Sequence, residues 1–213
     1  MSGEAHVSGV HVGVPTHDVA DPYARHEAMS AAAVGVYGQA EVLDAIQHGR
    51  VTLQFLSPAQ VDGRGRMNAS RIVKKDGSVK RFPGSLAIPD VSALVGRLVV
   101  YRASHEPRFL TAAVDFVSGT GDRVAAIVTS AAVLERSGEG FRLASVHPGV
   151  SVEEAVAGCG FELDVPATVP VTEEPPLEAL ELIREVLDPH GLRRMEVREG
   201  REEALATLEA LTA

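Results

Sequence analysis

Eight histidines, one cysteine and 29 carboxylates are the material from which this 213-residue chain could build a reactive centre. Their spacing limits what that centre can be. His6, His11 and His17 lie close together, but neither a Cys partner, an HExxH pattern nor a paired Asp/Glu-His spacing accompanies them, so a zinc-type ligand set is not formed. His147 stands between an expected strand and an expected helix start, where its ring reads as a structural group packed beside Pro148. Cys159 sits between Gly158 and Gly160, which supply no base, and reads as a small buried side chain. Gly9-Val-His-Val-Gly13 and Gly119-Thr-Gly121 do not make a GxGxxG series, and no GxxxxGK[ST] occurs, so dinucleotide and P-loop sites are unsupported. Ser85 lacks the GxSxG surround of a hydrolase elbow, and no Ser-His-Asp or Cys-His arrangement is recognisable.

Composition bounds the rest. With 45% hydrophobic residues, 23% charged residues and a mean hydropathy of +0.07, the chain can bury the core of one globular domain of above-average size. The 20 Lys and Arg stand against 29 Asp and Glu, a formal charge of −9, which argues against a phosphate-backbone binder and hence against nucleic acid. A single cysteine excludes an internal disulfide framework. There is no basic-then-apolar leader and no apolar run near the roughly 20 residues of a membrane helix, so a cytoplasmic location with no membrane contact is expected.

The elements that must position any site follow from periodicity. Val7 to Val14 alternates as a short strand, and the rest of Met1 to Ala28 reads as loop. Val42, Leu43 and Ile46 recur at helical spacing within Tyr37–His48, with Gly49 at the C-terminal cap. Val51–Leu56 reads as a buried strand, Asp62-Gly-Arg-Gly as a turn and Met67–Val73 as a second strand. Further strands are expected at Arg97–Tyr101, Phe109–Val117, Val124–Thr129, Ala132–Leu134 and Phe141–Val146. Ser151 and Glu154 make a capping-box pattern for a short helix through Val156. Pro166–Pro176, with four prolines, is an extended connector. Leu177, Leu180, Ile183 and Leu187 share a helical face up to Asp188-Pro189, and Arg201–Leu211 forms a second amphipathic stretch through Ala204, Leu205, Leu208 and Leu211. The expected fold class is α/β, an open mixed or parallel sheet with flanking helices. One domain is expected over residues 1–198, with an amphipathic helical tail over 199–213.

Several blocks, in order, carry a family resemblance. Gln60-Val-Asp62 with Gly65 and Asn68, Arg81-Phe-Pro-Gly-Ser85, Val114-Asp-Phe-Val-Ser-Gly119, Ser145-Val-His-Pro-Gly-Val150, Gly160-Phe-Glu-Leu163 and Leu182-Ile-Arg-Glu-Val-Leu-Asp-Pro189 resemble the small (B, or beta) subunits of family I coenzyme A transferases. The chain's ending is most similar to the small subunit of the related hydrolase that opens the last steroid rings. The resemblance runs from about Ser8 to Arg198. It implies an open α/β sheet of the NagB/RpiA type, a large (A, or alpha) subunit as partner in a heterodimer or heterotetramer, and an acyl-CoA substrate with no separate cofactor. Gln60 and Asn68 become candidates for polar contacts to the acyl-CoA, and Gly84 and Ser85 for its backbone cradle, although all four are also ordinary turn residues.

The sequence departs from the family at telling places. Where the transferases carry a nucleophilic Glu before Ser-Gly, this chain has Val7-Ser8-Gly9, and a valine cannot form an acyl anhydride. Glu4 lies three residues away, on the other face of a strand. The family's first strand and helix have no counterpart ahead of Val7, and Leu86 and Ala87 replace loop glycines. The catalytic residue within the chain therefore stays unassigned. The resemblance implies a hydrolase-like subunit whose working carboxylate comes from the large subunit; the alternative is a non-catalytic scaffold for that partner.

Overall fold

The computed structural model describes residues 10–12, 35–197 and 200–211, and the chain divides into two units, residues 45–174 and residues 1–44 with 175–213. In chain order the strands are β1 (Val10–Val12), β2 (Gly35–Tyr37), β3 (Leu53–Leu56), β4 (Gln60–Asp62), β5 (Met67–Asn68), β6 (Arg71–Val73), β7 (Val79–Arg81), β8 (Arg97–Tyr101), β9 (Leu110–Thr111), β10 (Val124–Val128), β11 (Ala132–Ser137) and β12 (Gly140–Val146). The α-helices are α1 (Gln39–Gln47), α2 (Ile88–Leu94), α3 (Val152–Ala157), α4 (Leu177–Glu181) and α5 (Arg201–Leu211).

Residues 45–174 are built on a five-stranded sheet ordered β12-β11-β10-β8-β3. The neighbours β3, β8 and β10 run parallel, while β11 and β12 are added antiparallel, so the expected open mixed sheet is present. Its strands are rich in Val, Leu and Ile because one face is fully buried. Leu98, Val100, Ile127, Leu134 and Leu143 are all 0% exposed. The short helices α2 and α3 accompany the sheet and bury Val91 and Ala155. Alternate residues face the other way, where Phe55 is 56% exposed.

Arg136, on β11, closes one end of this unit. Its Nε donates to the Val124 carbonyl (3.1 Å), Nη1 to those of Glu139 and Gly140, and Nη2 to those of Arg64 (3.2 Å) and Gly121 (2.6 Å), while the guanidinium lies 4.2 Å from the Phe141 ring centroid. Burial pushes its pKa down, against the opposing pull of Asp122 and Asp62. Gly121 has no room for a side chain, since a Cβ would lie 1.9 Å from the Arg64 carbonyl oxygen.

Several sequence expectations are corrected. Met67–Val73 is two strands, because the Asn68 side-chain oxygen takes the Ser70 and Arg71 backbone N–H groups and turns the chain between them. Of Phe109–Val117 only Leu110–Thr111 is strand, since the Asp115 backbone N–H and carboxylate bond Gln60 and Val73 instead of a ladder. Ala132–Leu134 continues to Ser137. The expected strand Val51–Leu56 and helix Tyr37–His48 start later, at Leu53 and Gln39.

In the other unit β1 and β2 pair antiparallel, with Val10 opposite Tyr37. The helix α4 runs on as a π-helical turn, Leu182–Leu187, and stops at Asp188. The Asp188 carboxylate accepts the N–H groups of Leu192 (2.7 Å) and Arg193 (3.0 Å) and pairs with the Arg193 guanidinium at 2.6 Å, starting a 3-10 turn, Leu192–Glu196. Helix α5 follows over the residues its periodicity predicts and buries Ala204.

Candidate functional site

The predicted site residues meet where β4, β5 and the loop before α2 converge, all within residues 45–174. Strand β4 lies between β5, antiparallel, and β9, parallel. The turn from β4 to β5 is made by Asp62, only 1% exposed, whose carboxylate accepts the Arg64 and Arg66 backbone N–H groups (3.0 Å each) and pairs with the Arg66 guanidinium at 2.7 Å. Gly65, at φ +79, completes it. This turn sets the register that places Gln60 opposite Asn68.

Antiparallel partners share a face, so the two amides meet. Asn68, 0% exposed, donates from Nδ2 to Gln60 Oε1 (2.7 Å) and to the Arg71 carbonyl (2.6 Å), and its Oδ1 accepts two backbone N–H groups. Its hydrogen-bonding capacity is full. Gln60 Oε1 also accepts the Asp115 backbone N–H at 3.0 Å, whereas its Nε2 donors have no partner among the described residues. Both lone pairs of Oε1 are thus committed, which fixes the amide orientation and aims two unspent N–H donors away from the network.

A serine relay joins this pair to the loop. Ser118, 4% exposed, accepts the Ala69 N–H (2.9 Å) and bonds Ser70 at 2.8 Å, and Ser70 in turn bonds Ser85. Gly84 stands at φ +114, a conformation open to glycine alone. Ala87, two residues beyond Ser85, is left-handed at φ 61, and Leu86 between them is 81% exposed. Gln60, Asn68, Gly84 and Ser85 are therefore brought into one neighbourhood. Val7, Glu4, His6 and His17 lie outside the described residues. Ser70, Ser118 and Asp115 were missed by sequence reasoning; only the Asn68-Ala-Ser70 spacing, typical of a side-chain-capped turn, could have flagged one of them.

The remaining reactive side chains are occupied. His147 Nε2 donates to the Thr129 carbonyl (2.9 Å), which fixes the tautomer, and Nδ1 faces the Thr172 hydroxyl (2.9 Å). His105 spans the Thr129 hydroxyl and the Ala155 carbonyl, both at 2.7 Å. Cys159 Sγ lies 3.9 Å from His105 Nε2, and burial pushes its thiol up to about 12, so it is no thiolate at neutral pH. Among the described residues no cluster of three metal-ligating side chains occurs. A cleft of about 440 Å³ lined by Leu53, Arg97, Val99, Ala126 and Glu135 shares no residue with the amide and serine group.

Amides and hydroxyls of this kind bind and polarise an oxygen; they do not attack. Comparison with known proteins narrows the setting. No family model matches the chain. It is 30% identical over 178 residues to the cholesterol ring-cleaving hydrolase IpdB subunit of Rhodococcus jostii, covering 74% of this chain and 67% of that subunit. It is 26% identical to the small (B) subunit of the 3-oxoadipate CoA-transferase of Pseudomonas knackmussii, over 65% of this chain and 60% of that one. Among solved structures, the decarboxylase AibA/AibB superposes with a TM-score of 0.76 at 25% identity, over 90% of this chain and 78% of the matched chain.

Proposed function

Since the chain belongs to the family of coenzyme A transferase small (B) subunits and their ring-cleaving hydrolase relative, we propose that it works with a large subunit as a heteromeric hydrolase-like enzyme on a CoA thioester. The relatives span hydrolase, transferase and decarboxylase chemistry, so what they share is the handling of an activated acyl group, and the observation that carries our reading is the open amide of Gln60. Its two N–H donors are held rigidly by Asn68 and Asp115 and are free for an acyl oxygen. In this reading they stabilise the negative charge that grows on that oxygen when water adds, while a carboxylate of the large subunit acts as general base. Asn68 positions Gln60, and Gly84 and Ser85 border the acyl group as a backbone cradle. CoA enters as part of the substrate and no further cofactor is invoked. Among the described residues no helix is long and apolar enough to cross a membrane, and we place the enzyme in the cytoplasm.

The test uses the complex co-purified with its large subunit and a thiol-release assay on cyclic and linear acyl-CoA esters, with products identified by mass. Gln60→Glu keeps the Oε1 acceptor and removes both N–H donors; it should lower kcat/KM about 100-fold, the usual scale for losing an oxyanion donor. Gln60→Ala should do the same. A stable complex whose turnover ignores both substitutions would leave the chain as a scaffold for its partner.

A further inference from the structure

All three lysines of this acidic chain lie in one hairpin. Strands β6 and β7 and their turn carry Arg71, Lys74, Lys75, Lys80 and Arg81 against one acid, Asp76. Asp76 is spent locally on the Ser78 N–H (2.9 Å) and hydroxyl (2.7 Å). None of the five cations has an acidic partner within ion-pair distance among the described residues. Arg71 and Arg81 stand directly opposite each other across the ladder, an arrangement that like charges disfavour. Arg71 is nevertheless held, by a stack on the Phe116 ring at 4.9 Å. The pair of valines beside them, Val73 and Val79, is 51% and 47% exposed.

The hairpin also grows straight out of the amide site. Its base is Ser70, a member of the serine relay, which accepts the Phe82 N–H at 3.0 Å, and the Asp115 carboxylate that caps Val73 belongs to the residue whose N–H holds Gln60. At about 3.3 Å per residue, Lys74 lies at most about 20 Å from Asn68, a span comparable to an extended pantetheine arm. A cationic, partly apolar finger at that distance from an acyl-binding amide suits an anionic group with a flat apolar part.

We propose that the β6–β7 hairpin binds the phosphorylated adenosine end of the CoA substrate, with Arg71, Lys74, Lys75 and Arg81 on the phosphates and the Val73–Val79 pair beneath the base. This rests on the proposed acyl-CoA reading of the Gln60 site and extends it from the thioester to the nucleotide. Charge repulsion between Arg71 and Arg81 is relieved when an anion lies between them. The interaction is exposed, so it weakens as ionic strength rises.

Calorimetric titration of the purified complex with free CoA tests this without requiring turnover, so an error about the reaction and an error about the hairpin give different results. The double substitution Lys74→Glu with Lys75→Glu, and separately Arg81→Ala, should raise the Kd for CoA about tenfold at low ionic strength. Pantetheine, which lacks the nucleotide, should bind wild type and variants equally. CoA binding that is unchanged in both variants overturns the proposal. So does a complex that falls apart in them, which would make the hairpin a contact for an acidic surface of the large subunit.

Discussion

Asn68 and Gln60 look equivalent in the sequence, yet the fold gives one of them a saturated, sealed amide and the other a pair of open donors. Their variants should therefore fail differently. Asn68→Ala leaves two backbone N–H groups, the Arg71 carbonyl and Gln60 Oε1 short of partners in a buried place, and should lower unfolding stability by about 3 kcal/mol, seen as a lower urea midpoint. Gln60→Glu keeps every bond its Oε1 accepts and should shift activity far more than that midpoint. Cys159 gives a simpler check. Its thiol, raised to about 12 by burial, should react with iodoacetamide much more slowly in the folded protein than in urea at pH 8. Equal rates would mean that the thiol is accessible and ionising normally. The sign also bears on stability: a raised acid holds its proton longer in the folded state, so stability falls as pH climbs from the free-thiol range towards 12.

Among the elements, α3 was the most legible, because a capping box is a local pattern and depends on nothing distant. Ser151 Oγ accepts the Glu154 N–H, and the Glu154 carboxylate accepts the Ser151 N–H at 2.9 Å. Those bonds to Ser151 hold the Glu154 carboxyl below its ordinary range. A depressed carboxyl stabilises the fold above the ordinary glutamate range, and that contribution is lost as pH falls through the depressed value. Ser151→Ala should cost about 1 kcal/mol at neutral pH and less in acid, measured by thermal unfolding at both. The strands β8, β10 and β12 were legible from their apolar runs. By contrast α2 was missed: it is seven residues long, starts beside Pro89 and is entered through the left-handed Ala87. Ala87→Gly removes the steric cost of that conformation and should raise stability by about 1 kcal/mol. The segment after β9 was misread because its apolar residues resemble a strand, while its backbone bonds go to side chains 42 and 55 residues away. Contacts of that reach leave no local spacing, which is why the serine relay stayed hidden although Gln60 and Ser85 were identified.

For the molecule as a whole, apolar exposure marks where it expects company. Phe55 on the open sheet face, and Leu177, Leu182 and Leu187 along α4 and its π-helical continuation, are each at least 45% exposed. A naphthalene-sulfonate dye should fluoresce with the isolated chain and lose most of that signal when the large subunit is added. Undiminished fluorescence in the complex would place the partner elsewhere. Charge is as unevenly distributed as apolarity, with every lysine on one hairpin of a chain whose formal charge is −9. Arg136 carries a consequence of another kind, in the order of events during folding. Its guanidinium joins carbonyls from Arg64 to Gly140, up to 72 residues from its own position, so its bonds form only after the turn at Asp62, the Gly121 loop and the β11–β12 hairpin have all arrived. Arg136→Lys keeps the charge but loses the planar fork. The variant should refold at nearly the native rate in stopped-flow measurements and unfold about tenfold faster, because the clamp closes after the barrier and is the lock that keeps the finished fold from reopening.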